Sequence, residues 1–163
     1  MQYKHKSQGF TIIEVVLVLA IAGLIFLIVF LALPSLQKSQ RDTQRKNDVS
    51  RFMSQLTQYQ SNHQGALPTG TGLGAWDPSF VSPYLGAGAS ETFNDPLNST
   101  QYAVDIKATV PATAPSASTG NIYVYTSAKC DSVLSWGVAT STSTRSVATI
   151  IFLEKGGFLC QNN

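Results

Sequence analysis

One acidic side chain stands inside an apolar stretch, and it is the first candidate for chemistry in this sequence. Glu14 is the only charge among the 24 residues of segment 10–33. A carboxylate at the centre of a bilayer costs on the order of 3 kcal/mol on insertion scales, so an acid within a membrane span is a functional candidate by default. The alternative is that Glu14 lies near the end of the span and that its side chain reaches the headgroups.

The element that must position Glu14 is a long apolar helix. At about 1.5 Å per residue, segment 10–33 reaches about 36 Å as a helix. That length crosses a hydrocarbon core of about 30 Å with some tilt. A secretory signal peptide has a shorter apolar region with a small-residue cleavage site after it. Here the small residue, Gly9, precedes the apolar run, so we interpret the run as a membrane span.

The junction between the leader and the span resembles the class III signal of type IV prepilins and pseudopilins. The leader MQYKHKSQG is short, polar and basic, and Phe10-Thr11-Ile12-Ile13-Glu14 follows it directly. The resemblance implies that a membrane-embedded aspartic peptidase cuts between Gly9 and Phe10. It also implies that Phe10 is then N-methylated and that Glu14 becomes the fifth mature residue. The resemblance covers roughly the first third of the chain.

Cleavage after Gly9 would create an amine on Phe10, one helical turn from Glu14. Opposite charges at this spacing can meet within one helix or between neighbouring helices. By the resemblance, the Glu14 carboxylate pairs with the Phe10 amine of the next subunit, and the apolar helices form the core of a helical homopolymer.

The resemblance also implies the partners and the location of the protein. The partners are further copies of the chain, the prepilin peptidase and N-methyltransferase, the pilus assembly ATPase with its inner-membrane platform protein, and membrane lipid before assembly. Nucleic acid would be a partner only in a DNA-uptake role. The chain would be a single-pass protein of the bacterial cytoplasmic membrane with its C-terminal domain outside. After assembly it would belong to a surface pilus used for adhesion, twitching motility or DNA uptake.

The helix is expected to continue beyond the span as an amphipathic segment. Pro34 would kink it locally, but segment 35–62 contains no Gly or Pro and is rich in good helix formers. Its second half carries an apolar stripe at positions i, i+3, i+4 and i+7, which we expect to pack on a sheet. The stripe consists of Val49, Phe52, Met53, Leu56 and Tyr59.

Segment 37–48, the collar, is polar on every side of the helix, and two interpretations are open. Either it contacts neighbouring subunits or lipid headgroups, or it is a solvated linker helix with internal charge pairs. Its basic residues also raise a question of orientation. Counting positive charges on both sides of the span would place the C-terminal side in the cytoplasm. The prepilin-like leader and the two cysteines favour export instead.

The remaining chain is long enough for one soluble domain of roughly 125 residues. Together with the helix it predicts an α+β pilin fold, with the long N-terminal helix packed on a C-terminal antiparallel sheet. A helix stop is expected at 62–65, where Gly65 follows Asn62.

The predicted organisation is a leader (1–9), an apolar helix (10–36), its amphipathic continuation (37–62) and a globular domain (63–163). That domain divides into an irregular loop (63–100), with a possible short helix at 79–85, and a sheet (101–163). The strands are predicted at 102–106, 121–128, 133–139, 146–154 and 158–160, with a hairpin loop at 140–145.

The two cysteines, Cys130 and Cys160, are far apart in sequence and have no C-x-x-C spacing. They bracket the last predicted strands, which fits a disulfide in an exported domain better than a metal or redox site. This pair resembles the C-terminal disulfide loop of many pilins. The alternative is two free thiols in a cytosolic protein.

The search for catalysis finds no complete set of residues, so no enzyme activity and no cofactor is predicted. His5 lies in the leader and His63 at a helix end, and neither has a nucleophile at a recognisable spacing. Asp77, Asp95 and Asp131 could gather around calcium, but aspartates in such loops are more often turn formers, so no metal is predicted. The chain has 11 Lys+Arg and 9 Asp+Glu, and removal of the leader with its two lysines leaves these counts equal.

Three functions remain open at this point. The first is a structural subunit of a type IV pilus. The second is a pseudopilin of a type II secretion system, or a minor pilin, which the leader does not distinguish from the first. The third is a single-pass anchored protein whose exported domain binds a ligand without polymerising.

Overall fold

The computed structural model describes residues 9–69, 80–86, 93–133 and 137–163. The described chain begins with one long helix, α1 (Ile12–Asn62), which contains Pro34 and continues beyond it. A short π-helix (Val81–Gly86) follows in the connection to the strands. The chain divides into two compact units, with the boundary between Gln37 and Lys38.

Six strands form two sheets in the described part of the second unit. The strands are β1 (Ala103–Lys107), β2 (Asn121–Thr126), β3 (Ala128–Cys130), β4 (Val138–Thr140), β5 (Val147–Phe152) and β6 (Phe158–Asn162). A four-stranded sheet has the order β1-β2-β5-β6, and β3 and β4 form a separate antiparallel pair. A long helix followed by a sheet is the layout that the sequence predicts, so the α+β class is confirmed.

The larger sheet is mixed, and the expectation of a wholly antiparallel sheet was wrong for one pair of strands. β1 and β2 run parallel, with Ala103 opposite Asn121, whereas the β2–β5 and β5–β6 pairs are antiparallel. Parallel neighbours need a crossover connection of about a dozen residues or more. Segment 108–120 is long enough to provide this crossover.

All five predicted strands have slightly different bounds in the structure, and two of them change by more than a shift of one or two residues at an end. The predicted strand 121–128 is interrupted at Ser127, whose φ of 51° turns the chain from β2 into β3. The predicted strand 133–139 is reduced to β4, and residues 134–136 lie outside the described residues. Since β4 pairs with β3 and β5 pairs with β2 and β6, the hairpin expected around 140–145 does not form.

Alternation along β2 divides the core into two layers. Ile122 and Val124 pack with the apolar stripe of α1, whose five side chains are only 0 to 6% exposed. Tyr123 and Tyr125 lie on the opposite face of the sheet and pack with β3 and β4 residues. Side chains alternate between faces with a period of two, so a slip of one residue would exchange these layers.

Two residues with left-handed backbone end α1 at the predicted position. Gln64 and Gly65 have φ values of 57° and 89°, and the Gly65 N–H donates to the Gln60 carbonyl at 2.7 Å. This arrangement is a Schellman cap, which satisfies carbonyl groups that the last helical turn leaves open.

Candidate assembly site

At the start of α1, Thr11 and Glu14 cap the helix by hydrogen-bonding to each other. The N–H and O–H groups of Thr11 donate to Glu14 Oε2 at 2.8 and 2.7 Å, and the Glu14 N–H donates to Thr11 Oγ1 at 3.4 Å. This is a capping box, in which a threonine and a glutamate three residues later satisfy each other's backbone donors. The Thr-x-x-Glu spacing was a signal in the sequence, and it would have identified Thr11 as a site residue.

Glu14 keeps one carboxylate oxygen open. Both bonds from Thr11 go to Oε2, and within the part of the chain that the structure describes no donor lies against Oε1. Glu14 and Phe10 line one shallow groove, together with Val15, Val18 and Leu19. Phe10 is 89% exposed, and a Cβ placed on Gly9 would meet nothing within 4 Å. The structure therefore brings Phe10 and Glu14 to one open surface, beside an accessible peptide bond.

The large apolar side chains of segment 12–36 form a continuous exposed surface, each of them 43 to 85% accessible. Soluble monomers rarely expose apolar patches of this size. By its length and composition, α1 is able to cross a membrane. This surface thus requires an apolar environment, either lipid or other apolar chains.

A second group of polar side chains, which we name the charge cluster, lies in the second unit. Its members are Arg41, Asp42, Arg45, Asp95 and Glu154. Arg45 is fully buried, and its Nη2 lies 2.6 Å from Asp95 Oδ1. Its Nη1 contacts Glu154 Oε1 at 2.8 Å and Asp42 Oδ1 at 3.2 Å. One buried cation thus joins the helix to two distant loops.

The turn between β5 and β6 is held against the helix by reciprocal hydrogen bonds. The Asp42 carboxylate accepts from the backbone N–H groups of Glu154 at 2.8 Å and Lys155 at 3.1 Å. In return, the Glu154 carboxylate accepts two bonds from Arg41, at 2.8 and 2.7 Å. Because each segment supplies a carboxylate to donors of the other, neither can move away without leaving charged groups unpaired.

The electrostatics of the charge cluster favour the ionised forms of its partners. The hydrogen bond from Arg41 lowers the pKa of Glu154; burial opposes this effect, and a second bond from Arg45 adds to it. Burial alone would lower the pKa of Arg45, but the hydrogen bonds and charges of Asp95 and Glu154 outweigh it and raise that pKa. Two arginines and three carboxylates give the cluster a formal charge of −1.

Asp95 is held by hydrogen bonds on one carboxylate oxygen and lies against a glycine on the other. Its Oδ1 accepts the Leu97 N–H at 3.2 Å as well as the bonds from Arg45. Its Oδ2 faces Gly120, where a Cβ would lie only 2.8 Å away, and the φ of Gly120 is +86°. A side chain at position 120 would therefore displace Asp95. Of the two other aspartates considered as calcium ligands, Asp77 lies outside the described residues, and Asp131 accepts a bond from the Val133 N–H at 2.8 Å.

The structure corrects both interpretations of the collar at two positions, residues 42 and 45, and leaves both open for its exposed residues. Both interpretations require the side chains at 42 and 45 to be accessible, whereas Asp42 and Arg45 are buried within their own domain. A helix that is polar all round in sequence buries charges here because partners from other segments compensate them. The signal was the spacing, since positions 42 and 45 continue the buried series 49, 52, 56 and 59 at intervals of three and four residues. Nothing in the sequence identified Asp95 and Glu154 as their partners.

The predicted disulfide is present in the structure. Cys130 in β3 and Cys160 in β6 are bonded, with 5.8 Å between their Cα atoms. The bond links the small sheet to the last strand of the large sheet.

Comparison with known proteins identifies the N-terminal signal. Residues 4–30 match the family model described as the prokaryotic N-terminal methylation motif. This motif is the class III signal of type IV pilins and pseudopilins, so the resemblance stated from the sequence is confirmed for this part of the chain. No curated protein and no solved structure matches the chain.

Proposed function

We propose that this chain is a structural subunit of a type IV pilus, produced as a precursor, cleaved between Gly9 and Phe10 and polymerised through its apolar helix. The observation that carries the proposal is the combination at the start of α1. It consists of a methylation motif, an accessible Gly9–Phe10 bond, and a Glu14 carboxylate with one open oxygen.

The energetics support assembly from a membrane reservoir. Burying an aliphatic or aromatic side chain is worth roughly 1.5 to 3 kcal/mol relative to water. The exposed surface of segment 12–36 is therefore stored in lipid and is buried again among neighbouring helices in the filament. In that apolar core a lone Glu14 carboxylate would be costly, and the amine of a neighbouring Phe10 compensates it.

Two other functions would share some of these features. A pseudopilin of a type II secretion system, or a minor pilin, would share the processing and the helix, and the Cys130–Cys160 disulfide favours a pilus only weakly. A membrane-anchored binding module would retain the leader.

The test is mass spectrometry of the N-terminal peptide from membranes and from material sheared off the cells. We expect a peptide beginning at N-methylated Phe10 in the sheared fraction. A Gly9→Val variant should keep the leader and yield no sheared filament, while the control Gly23→Val, another glycine with open space around it, should be processed normally. Confinement of the processed peptide to membranes would favour the pseudopilin or minor-pilin function. An intact leader in the functional protein would rule out the subunit proposal.

A further inference from the structure

The second unit leaves some of its cations without partners. The charge cluster engages Arg41 and Arg45 internally. Lys38 and Lys155 are exposed, and no carboxylate among the described residues lies within salt-bridge distance of either ammonium group. Both lysines flank the same structure, the contact between α1 and the β5–β6 turn.

A groove of about 450 Å³ opens at this contact. Lys38 lies on one side, Gly156 and Gly157 of the turn on another, and the partly buried rings of Phe152 and Phe158 contribute an apolar wall. Both glycines have positive φ, and a Cβ on either would meet nothing within 4 Å, so the turn leaves the groove open. Glu154 also lines it, but its carboxylate is engaged by Arg41 and Arg45.

The chemistry of the groove matches an amphiphilic anion. An ammonium group suits a phosphate as a point charge, and aromatic walls suit the glycerol and the first methylene groups next to it. The sequence supplies the location, because Lys38 follows Leu33, the last residue of the apolar run, by only five positions. Basic residues immediately beside a span attract anionic lipids.

We propose that this groove binds the headgroup of an anionic phospholipid while the subunit stands in the membrane. The inference rests on the proposed function in one respect, that segment 10–33 spans a bilayer before assembly. The Lys38 ammonium donates to the phosphate, and Lys155, an exposed residue of the turn that does not itself line the groove, adds a second positive charge.

The experiment is native mass spectrometry of the full chain in a neutral detergent, titrated with phosphatidylglycerol or with phosphatidylcholine of identical acyl chains. We expect preferential retention of phosphatidylglycerol. At about 1 kcal/mol per basic residue, Lys38→Gln should weaken retention about 5-fold and the Lys38→Gln/Lys155→Gln double variant about 30-fold. The matched control is Lys129→Gln, an exposed lysine of β3, which should retain the lipid like the unaltered chain.

Several outcomes would overturn the inference. The first is equal retention of phosphatidylglycerol and phosphatidylcholine. The second is a loss of lipid in the Lys129→Gln control as large as the loss in Lys38→Gln. The third is a lipid-free dimer whose formation depends on Lys38, which would assign the groove to a second copy of the chain. Retention of inorganic phosphate with the same dependence on Lys38 would identify a soluble anion instead. Because lipid retention is measured without assembly, its failure is distinguishable from failure of the pilus subunit proposal. A chain that is never processed but still retains phosphatidylglycerol through Lys38 would refute the pilus subunit proposal and leave the lipid site intact.

Discussion

Two charged side chains on one helix, Glu14 and Arg45, are stabilised in opposite ways. Glu14 is exposed, and its described partner is Thr11, three residues away. Arg45 is fully buried, and its partner Asp95 lies 50 residues along the chain, with Glu154 farther still. The first has an open acceptor and is able to take a partner from outside the chain. The second is compensated internally and serves the stability of the domain.

This difference explains why the two sites are sensitive to different changes. A group with local partners leaves the fold intact when it is replaced, so its loss affects what the surface binds. A buried group with distant partners holds segments together, so its loss leaves charges uncompensated inside the domain. We therefore expect an assembly defect when Glu14 is replaced and a stability defect when Arg45 is replaced.

The largest effect is expected from Glu14→Leu. Under the proposed pairing, removal of the carboxylate leaves the Phe10 amine of the neighbouring subunit without a partner in the filament core, while insertion into the membrane is not impaired, because a charge in the span is costly. We expect the yield of sheared filaments to fall by about tenfold or more. Membrane content and the thermal midpoint of the domain should stay unchanged. Quantitative immunoblots of the sheared and membrane fractions measure the yield and the membrane content. Near-ultraviolet circular dichroism measures the thermal midpoint.

The conservative variant Glu14→Asp provides the control, since it keeps the charge on a shorter side chain and should lose less assembly than Glu14→Leu. Full filament yield from Glu14→Leu would contradict the pairing role and leave Glu14 with the capping contact to Thr11 alone.

The next effect is expected from Arg45→Met, which keeps much of the side-chain volume and removes the charge. Asp95 and Glu154 would lose their buried counter-ion, and breaking a buried pair in this way costs about 3 to 5 kcal/mol. The thermal midpoint should fall by about 10 °C or more. Lys46→Met is the matched control, because Lys46 is the next residue on the same helix and is exposed. Equal midpoints for the two variants would show that the charge cluster contributes little to stability.

The same division between local and distant partners limits what the sequence predicts. The span, the stripe from Val49 to Tyr59 and the helix stop at Gly65 follow from periodicity and local chemistry, and each has its counterpart in the structure. The parallel pairing of β1 with β2 depends on how segment 108–120 crosses over, which composition does not encode. The partners of Arg45 depend on tertiary folding in the same way.

The charge cluster also bears on the orientation problem posed by the basic residues after the span. Of the four cations in the collar, Arg41 and Arg45 are held by carboxylates of the folded domain. A count of positive charges in the sequence therefore overstates the charge that the folded collar presents. The two that remain, Lys38 and Lys46, are exposed.

The smallest effect concerns the pH dependence of stability. Hydrogen bonds from Arg41 and Arg45 lower the pKa of Glu154 in the folded chain, so at mildly acidic pH the unfolded chain binds more protons at this residue than the folded chain does. Stability therefore rises with pH across this range, and the contribution of Glu154 is fully present above its unfolded pKa. It is lost as the pH falls from the ordinary glutamate range, near 4.5, through the lower folded value.

Replacement of Glu154 by glutamine removes this contribution, so the free energy of unfolding should depend less steeply on pH below about 5. The measurement is urea unfolding of the full chain in detergent at several pH values. Asp131→Asn is the control, because Asp131 accepts a bond from the Val133 N–H and has no cation within salt-bridge distance among the described residues. An unchanged slope in Glu154→Gln would mean that Arg41 and Arg45 do not discriminate between the charged and neutral forms of Glu154. The charge cluster would then stabilise the domain through packing and hydrogen bonding. It would differ from Glu14 in being buried, and not in how its charges are compensated.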